Sequence, residues 1–496
     1  MVDYKNSNTR QAMWLVVGQS FTFLFALFTA PILSRYLNKT EYGTYRQILY
    51  VYTVMHALLT VGLPNVFLYY IPRLKIGQQK MLVQRMTILF FLLGVVFFVI
   101  LYSASNLIAD LLNNPELAVG LRMFSVFPMF TMTSMGIEAI YTSIRKTKEV
   151  AVYQVLSRLF MFLCIVLPVV ILHTGYKEAI IGWGVAAFFT FLVAMYMKGK
   201  PYKNVQTERI PNMLHAIFEV VMPLIGASIA GFFVQTADSF YISRYFGTQT
   251  FAELSNGYFS VPVVTILVSS LNSVLLPLLS NADANNKISS ALQSYTNAVK
   301  RTAIIVMPLL MFCLFFADDI MIALFGSQYE ASASYFRIYI LRDFASVFPI
   351  FIILNAFGFQ KIYMKIFVTG AVFIWIADYI LVSIFATPML ITCISTIFWI
   401  LSVIVGQIYI RRKKNISLVP RNVLLIVVRI LVQSSVLLFL LSTVRYTVFA
   451  KMNVFVSIAV FALLFYVLLI PTGKLFKIDY TAVLENIPLL RRWKKH

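Results

Sequence analysis

Residues 31–46 read Pro31-Ile32-Leu33-Ser34-Arg35-Tyr36-Leu37-Asn38-Lys39-Thr40-Glu41-Tyr42-Gly43-Thr44-Tyr45-Arg46. The stretch closes one apolar run and opens the next, with Asn38 and Gly43 as turn formers. A near copy stands 209 residues later. Ser243-Arg244-Tyr245-Phe246-Gly247-Thr248-Gln249-Thr250-Phe251-Ala252 aligns without gaps on residues 34–43 and also lies between two apolar runs. Two openings of the same kind predict an internal duplication, each half starting helix, polar turn, helix. A second correspondence at a similar offset supports it. Leu107-Ile108-Ala109-Asp110-Leu111-Leu112 with Arg122 resembles Ile320-Met321-Ile322-Ala323-Leu324-Phe325 with Arg337.

Of the 496 residues, 60% are hydrophobic and only 12% are charged. Soluble chains run nearer 45–50% and 25%. Apolar stretches of 18 or more residues recur along the whole chain, and such stretches are read as membrane helices. A transmembrane β-barrel would alternate with a period of two instead. The predicted fold class is therefore an all-α polytopic membrane protein. Fourteen runs are expected, at about 11–33, 46–70, 87–108, 121–142, 150–172, 178–197, 214–237, 251–279, 302–325, 335–358, 365–386, 388–410, 423–444 and 452–471. Only Thr387-Pro388 divides the eleventh from the twelfth. The first run is too long for a signal-peptide core.

The net charge is +22, and the basic residues sit in short loops between apolar runs. That placement favours a membrane surface over nucleic acid. With the N-terminus inside, 29 of the 41 Lys and Arg fall on the cytoplasmic side and 8 outside. Both termini are then expected in the cytoplasm. The basic clusters Arg73/Lys75/Lys80/Arg85, Arg145/Lys146/Lys148, Lys198/Lys200/Lys203/Arg209 and Arg411/Arg412/Lys413/Lys414 read as topology and lipid-surface anchors, with a grip on a lipid phosphate as the alternative. No loop leaves room for a soluble domain. The expected division is a six-helix bundle over 1–210, a second over 211–414, and two added helices with a basic tail over 415–496. Six helices per half place the duplication axis along the membrane normal.

Charged groups at the bilayer centre cost about 2.5–3.5 kcal/mol on insertion scales, so those inside runs mark a cavity or a partner. Glu138 and Arg158 lie near the inner face on neighbouring runs and are expected to form a structural ion pair. Glu219 and Asp238 bracket the seventh run. Arg337, Arg342 and Asp343 descend along the tenth, and Asp378 sits deep in the eleventh. Asp318-Asp319 reads as a solvated helix end. The three cysteines lie in apolar runs without metal spacing, and no P-loop or nucleophile elbow occurs. Neither a cofactor nor a catalytic residue is expected. Ten prolines in or beside runs suit bent helices.

The residues Ser34-Arg35-Tyr36-Leu37 with Glu41-Tyr42-Gly43 resemble the polysaccharide-transporter branch of the MOP flippase superfamily. So do Gly62-Leu63-Pro64-Asn65 with Tyr69-Tyr70-Ile71-Pro72-Arg73, residues 237–247, and Leu324-Phe325-Gly326 with Tyr329. The resemblance covers the whole chain, on helix-end patterns. It implies a bacterial inner-membrane flippase for undecaprenyl-pyrophosphate-linked oligosaccharides, feeding O-antigen, capsule or exopolysaccharide assembly by alternating access. It further implies H+ or Na+ coupling and, as partners, membrane lipids, a polysaccharide polymerase and other assembly proteins. Arg35, Arg244, Arg337 and Arg342 are the expected head-group contacts, since arginine grips phosphate through a fixed fork. Asp378 and Asp238 are the expected coupling carboxylates. A cation-coupled drug exporter of the same superfamily and a membrane glycan polymerase or ligase are the rivals.

Overall fold

The polar turn at Asn38 is a break in a helix, and it recurs 209 residues on. A computed structural model of the chain describes residues 4–60, 63–210, 213–284 and 288–480, and those residues are helical with no strand among them. The chain divides into two compact units, Met1–Ala252 and Glu253–His496.

In the first unit α1 (Tyr4–Tyr36) stops at the motif and α2 (Lys39–Thr60) starts at once. The Glu41 N–H donates to Asn38 Oδ1 at 2.9 Å, and the Asn38 N–H donates to Glu41 Oε2 at 3.3 Å. This reciprocal cap satisfies two amides that a helix start leaves unpaired. Short α3 (Asn65–Tyr70) follows, then α4 (Ile76–Ser103) and α5 (Ser105–Leu111). The fourth apolar run is three helices: α6 (Glu116–Phe124), α7 (Val126–Ser134) and α8 (Ile137–Ser143). Pro128 has no N–H for the Phe124 carbonyl, which loosens the helix at Ser125. Gly136 holds a left-handed φ of 86°, and a Cβ there would lie 2.1 Å from the Phe67 ring. Long α9 (Thr147–Ile171) and α10 (Tyr176–Gly199) pack on one another, and α1 packs on α9.

The second copy of the motif lies inside α11 (Met213–Gly257). Gly247, the counterpart of Asn38, interrupts it at φ 83° and ψ 175°, a conformation essentially confined to glycine. The two copies touch: Gln249 Nε2 donates to Thr40 Oγ1 at 3.0 Å, between positions equivalent under the duplication. Beside this contact runs a buried polar chain. Gln47 Nε2 donates to Ser243 Oγ at 2.7 Å, and Asn114 Nδ2 donates to Gln47 Oε1 at 2.6 Å and to Thr44 Oγ1 at 3.0 Å.

In the second unit α12 (Pro262–Ala284), α13 (Ile288–Phe315), α14 (Ala317–Phe325), α15 (Ser332–Ser346), α16 (Ile350–Ala356), α17 (Gln360–Ile384), α18 (Pro388–Lys414), α19 (Arg421–Thr447) and α20 (Val454–Gly473) follow. The division at Thr387-Pro388 is real: residues 385–387 are not helical, and Pro388 takes the first turn of α18, where its missing N–H costs nothing. Lys414 Nζ and Asp283 Oδ1, 2.6 Å apart, pair the ends of α18 and α12. The added helices are fastened to the rest of this unit, α19 against α13 and α20 against α19 and α14.

Twelve segments among the described residues are long and apolar enough to cross a membrane. They coincide with twelve of the fourteen runs. The other two runs fall on α2 with α3 and on the first part of α11. The chain is a multi-pass α-helical membrane protein.

Candidate functional site

Arg342 sits in the middle of the span formed by α15 and α16. Three hydroxyls accept from its guanidinium. Nε donates to Thr396 Oγ1 at 3.0 Å, and Nη2 donates to Tyr258 Oη at 3.2 Å and to Ser395 Oγ. It lies 5.1 Å from the Tyr258 ring centre and 5.4 Å from that of Tyr339, and those two rings stack. Hydroxyls and ring faces orient the fork. Asp343 is its chain neighbour, and the buried Asp343 Oδ2 accepts no hydrogen bond among the described residues. A half-buried guanidinium beside a carboxylate and four hydroxyl-bearing side chains can attract a phosphate or a sugar acid by charge.

Arg337, one turn earlier, has other work. It pairs with Asp318 and donates from Nε to the Leu314 carbonyl at 3.3 Å. Arg122 does the corresponding thing in the first unit, donating to Ser105 Oγ at 2.9 Å and Asn106 Oδ1 at 2.7 Å. Each arginine reaches back to the start of the short helix before it. The correspondence read from residues 107–122 and 320–337 is thus a repeated helix clamp.

In the first unit Arg244 donates to the Leu111 carbonyl and lies over the Tyr245 ring at 5.5 Å. Arg35 is exposed at the end of α1. Asp238 on α11 and Asp378 on α17 are almost fully buried, at 1% and 0% exposure. The Glu219 side chain lies outside the described residues.

Glu138 and Arg158 share a cavity of about 580 Å³ in the first unit, with Gln19, Thr131, Tyr153 and Gln154. The expected direct ion pair is not formed. The Arg158 guanidinium instead lies 3.9 Å from the Met161 sulfur. Both side chains line the cavity without pairing across it.

Three features escaped the sequence reading. Asp319 is not a solvated helix end. It is buried, accepts from Arg445 Nε at 2.9 Å and Nη2 at 3.1 Å and from Ser457 Oγ at 2.8 Å, and so ties α14 to α19 and α20. At the other end of the added pair, Gln433 Nε2 donates to the Leu469 carbonyl at 2.8 Å and Tyr480 Oη donates to Gln433 Oε1 at 2.9 Å. Lys198 does not join its basic neighbours at the surface. It is 4% exposed and donates to the Thr133 carbonyl at 2.6 Å. Asp319, Arg445 and Ser457 all lie at run ends on one side of the membrane, the single sequence signal that pointed to their meeting.

Comparison with known proteins agrees with this architecture. A family model described as polysaccharide biosynthesis protein matches residues 32–334. No curated protein sequence matches the chain. Among solved structures, a lipid II flippase, MurJ, in an inward closed conformation is similar at TM-score 0.66 and 13% identity, over 92% of this chain and 99% of that one. An inward-facing multidrug resistance MATE family transporter of the MOP superfamily is similar at TM-score 0.63 and 14% identity, over 81% of this chain and 98% of that one. A MOP superfamily transporter from Pyrococcus furiosus is similar at TM-score 0.57 and 15% identity, over 83% and 96%. Those identities speak for the fold, and the family model for the lineage: the chain belongs to the polysaccharide biosynthesis protein family.

Proposed function

We propose that this chain flips an anionic lipid-linked oligosaccharide, of the undecaprenyl-pyrophosphate-linked repeat-unit class, from the cytoplasmic to the outer leaflet of a bacterial inner membrane. The observation that carries this reading is Arg342, a guanidinium at membrane depth held by Thr396, Ser395 and Tyr258 with its fork oriented by two aromatic rings. A fixed fork suits a pyrophosphate or a uronic acid better than a cationic drug. The family's link to polysaccharide biosynthesis supports the sugar, and the fold shared with a lipid II flippase supports the lipid carrier.

Transport in this reading needs no covalent chemistry. The head group follows a polar path while its tail stays in lipid, and the chain alternates between states open to one leaflet and the other. H+ or Na+ binding at Asp378 or Asp238 drives the cycle, and both termini lie in the cytoplasm. A polymerase acts on the delivered unit.

The test is a strain lacking this chain, scored for surface polysaccharide and complemented with variants. Arg342→Gln should lose most complementation at near-normal expression. Arg342→Lys should restore part of it, because the charge returns without the fork. Should deletion leave surface polysaccharide intact and raise sensitivity to cationic drugs, the exporter reading replaces this one.

A further inference from the structure

The basic cluster before α9 opens onto a pocket of about 410 Å³, walled by Arg10, Trp14, Arg145, Lys146, Lys148 and Glu149. Among the described residues, four cationic side chains and one carboxylate line it. A second cavity, of about 670 Å³, shares Lys148 and Glu149 with the first. It runs between α9 and α10 over Val152, Leu156 and Phe160 on one side and Phe189 and Val193 on the other. Each of these five apolar side chains is more than a third exposed. Lys200, where α10 ends, also lines it.

The dimensions select an occupant. From Lys148 to Phe160 the groove follows 12 residues of α9, or about 18 Å at 1.5 Å per residue. One leaflet of a bilayer offers about 15 Å of hydrocarbon, half of the roughly 30 Å core. A polyprenyl tail is far longer than this groove, whereas an acyl chain matches it. The basic pocket at one end supplies the charge complement of a phosphate.

We propose that the pocket and groove form one binding site for an anionic phospholipid, its phosphate among Arg10, Lys146 and Lys148 and an acyl chain along α9 and α10. Such a lipid covers apolar surface that α9 and α10 leave open and fixes the pair at the leaflet that supplies it. The proposal does not depend on what the chain transports.

The experiment is lipid titration of the purified full chain in detergent, read by native mass spectrometry, with phosphatidylglycerol and phosphatidylcholine of identical acyl chains. The wild type should retain phosphatidylglycerol preferentially. The triple variant Arg10→Gln, Lys146→Gln, Lys148→Gln should bind it about a hundredfold more weakly, at about fivefold per basic residue near an anionic surface. Leu156→Trp, which fills the groove and keeps every charge, should also weaken retention. A phosphatidylglycerol with a photoactivatable acyl chain should label residues 152–160 or 189–193 of the wild type, a readout that needs no variant to fold. Equal retention of the two lipids, labelling elsewhere, or wild-type retention by the triple variant would each overturn the proposal. Displacement of phosphatidylglycerol by equimolar polyprenyl phosphate would reassign the site to the transported lipid and likewise end it.

Discussion

Asp319 and Arg445 offer a perturbation whose size can be worked from geometry. Each side chain is about 5% exposed, and the pair makes two N–H to oxygen contacts, at 2.9 and 3.1 Å. Arg445 Nη1 also donates to the Phe449 carbonyl at 2.6 Å, and Ser457 Oγ donates to Asp319 Oδ2 at 2.8 Å. Neutral hydrogen bonds between membrane helices average only about 0.6 kcal/mol. A buried ion stripped of its partner costs about 3–5 kcal/mol, because its desolvation is no longer offset. The second term dominates here. Asp319→Ala and Arg445→Met should each destabilise the second unit by about 3 kcal/mol, and the double variant Asp319→Leu, Arg445→Met should recover most of that loss. Thermal unfolding in detergent reads this as roughly a 6–12 °C fall in Tm for each single variant, at about 2–4 °C per kcal/mol. The cycle should be strongly non-additive. Single losses under about 1 kcal/mol, or strict additivity, would refute a buried clamp between α14 and the added helices.

Three further perturbations separate causes that the structure sets side by side. Gly136→Ala meets both a left-handed backbone and the buried Phe67 ring, whereas at Gly247 a Cβ meets nothing within 4 Å; both should cost at least the roughly 1–3 kcal/mol of backbone strain, with Gly136→Ala clearly the worse in unfolding assays. Lys198→Met removes a buried amine whose contacts include the Thr133 carbonyl, Thr87 Oγ1 at 3.4 Å and the face of the Phe90 ring; stability should hold or rise, and a loss of about 3 kcal/mol would reveal an anionic partner in solution. Arg337→Gln breaks a pair whose side chains are 36% and 32% exposed; it should cost less than about 1 kcal/mol and leave transport near normal, in contrast to Arg342→Gln.

Much of the fold was legible because hydropathy and turn chemistry are local. Asn38 and Gly247 announce their breaks by residue type, one through an amide cap and the other through a positive φ. Pro388 announces its boundary for the same kind of reason. The fourth run concealed its division into three helices, because an apolar window averages over Ser125 and Gly136. The candidate site was legible in part. Arg342 stood out as a cation at depth, but Arg337 looked equivalent until Asp318 was seen to engage it. Hydropathy fixes how deep a side chain lies and not which way its helix is turned. Glu138 and Arg158 therefore share a cavity without touching, Lys198 turns inward from a basic cluster, and Asp319 meets a helix 126 residues away.

Reconstituted transport addresses the central proposal most directly. The purified chain is placed in liposomes with a pyrophosphate-linked oligosaccharide in one leaflet, and a membrane-impermeant glycosidase reports its arrival in the other. Accumulation should require the chain, fall steeply with Arg342→Gln and return in part with Arg342→Lys. Vesicles in which the glycan stays in its own leaflet, while the same chain moves a cationic dye, would contradict the account.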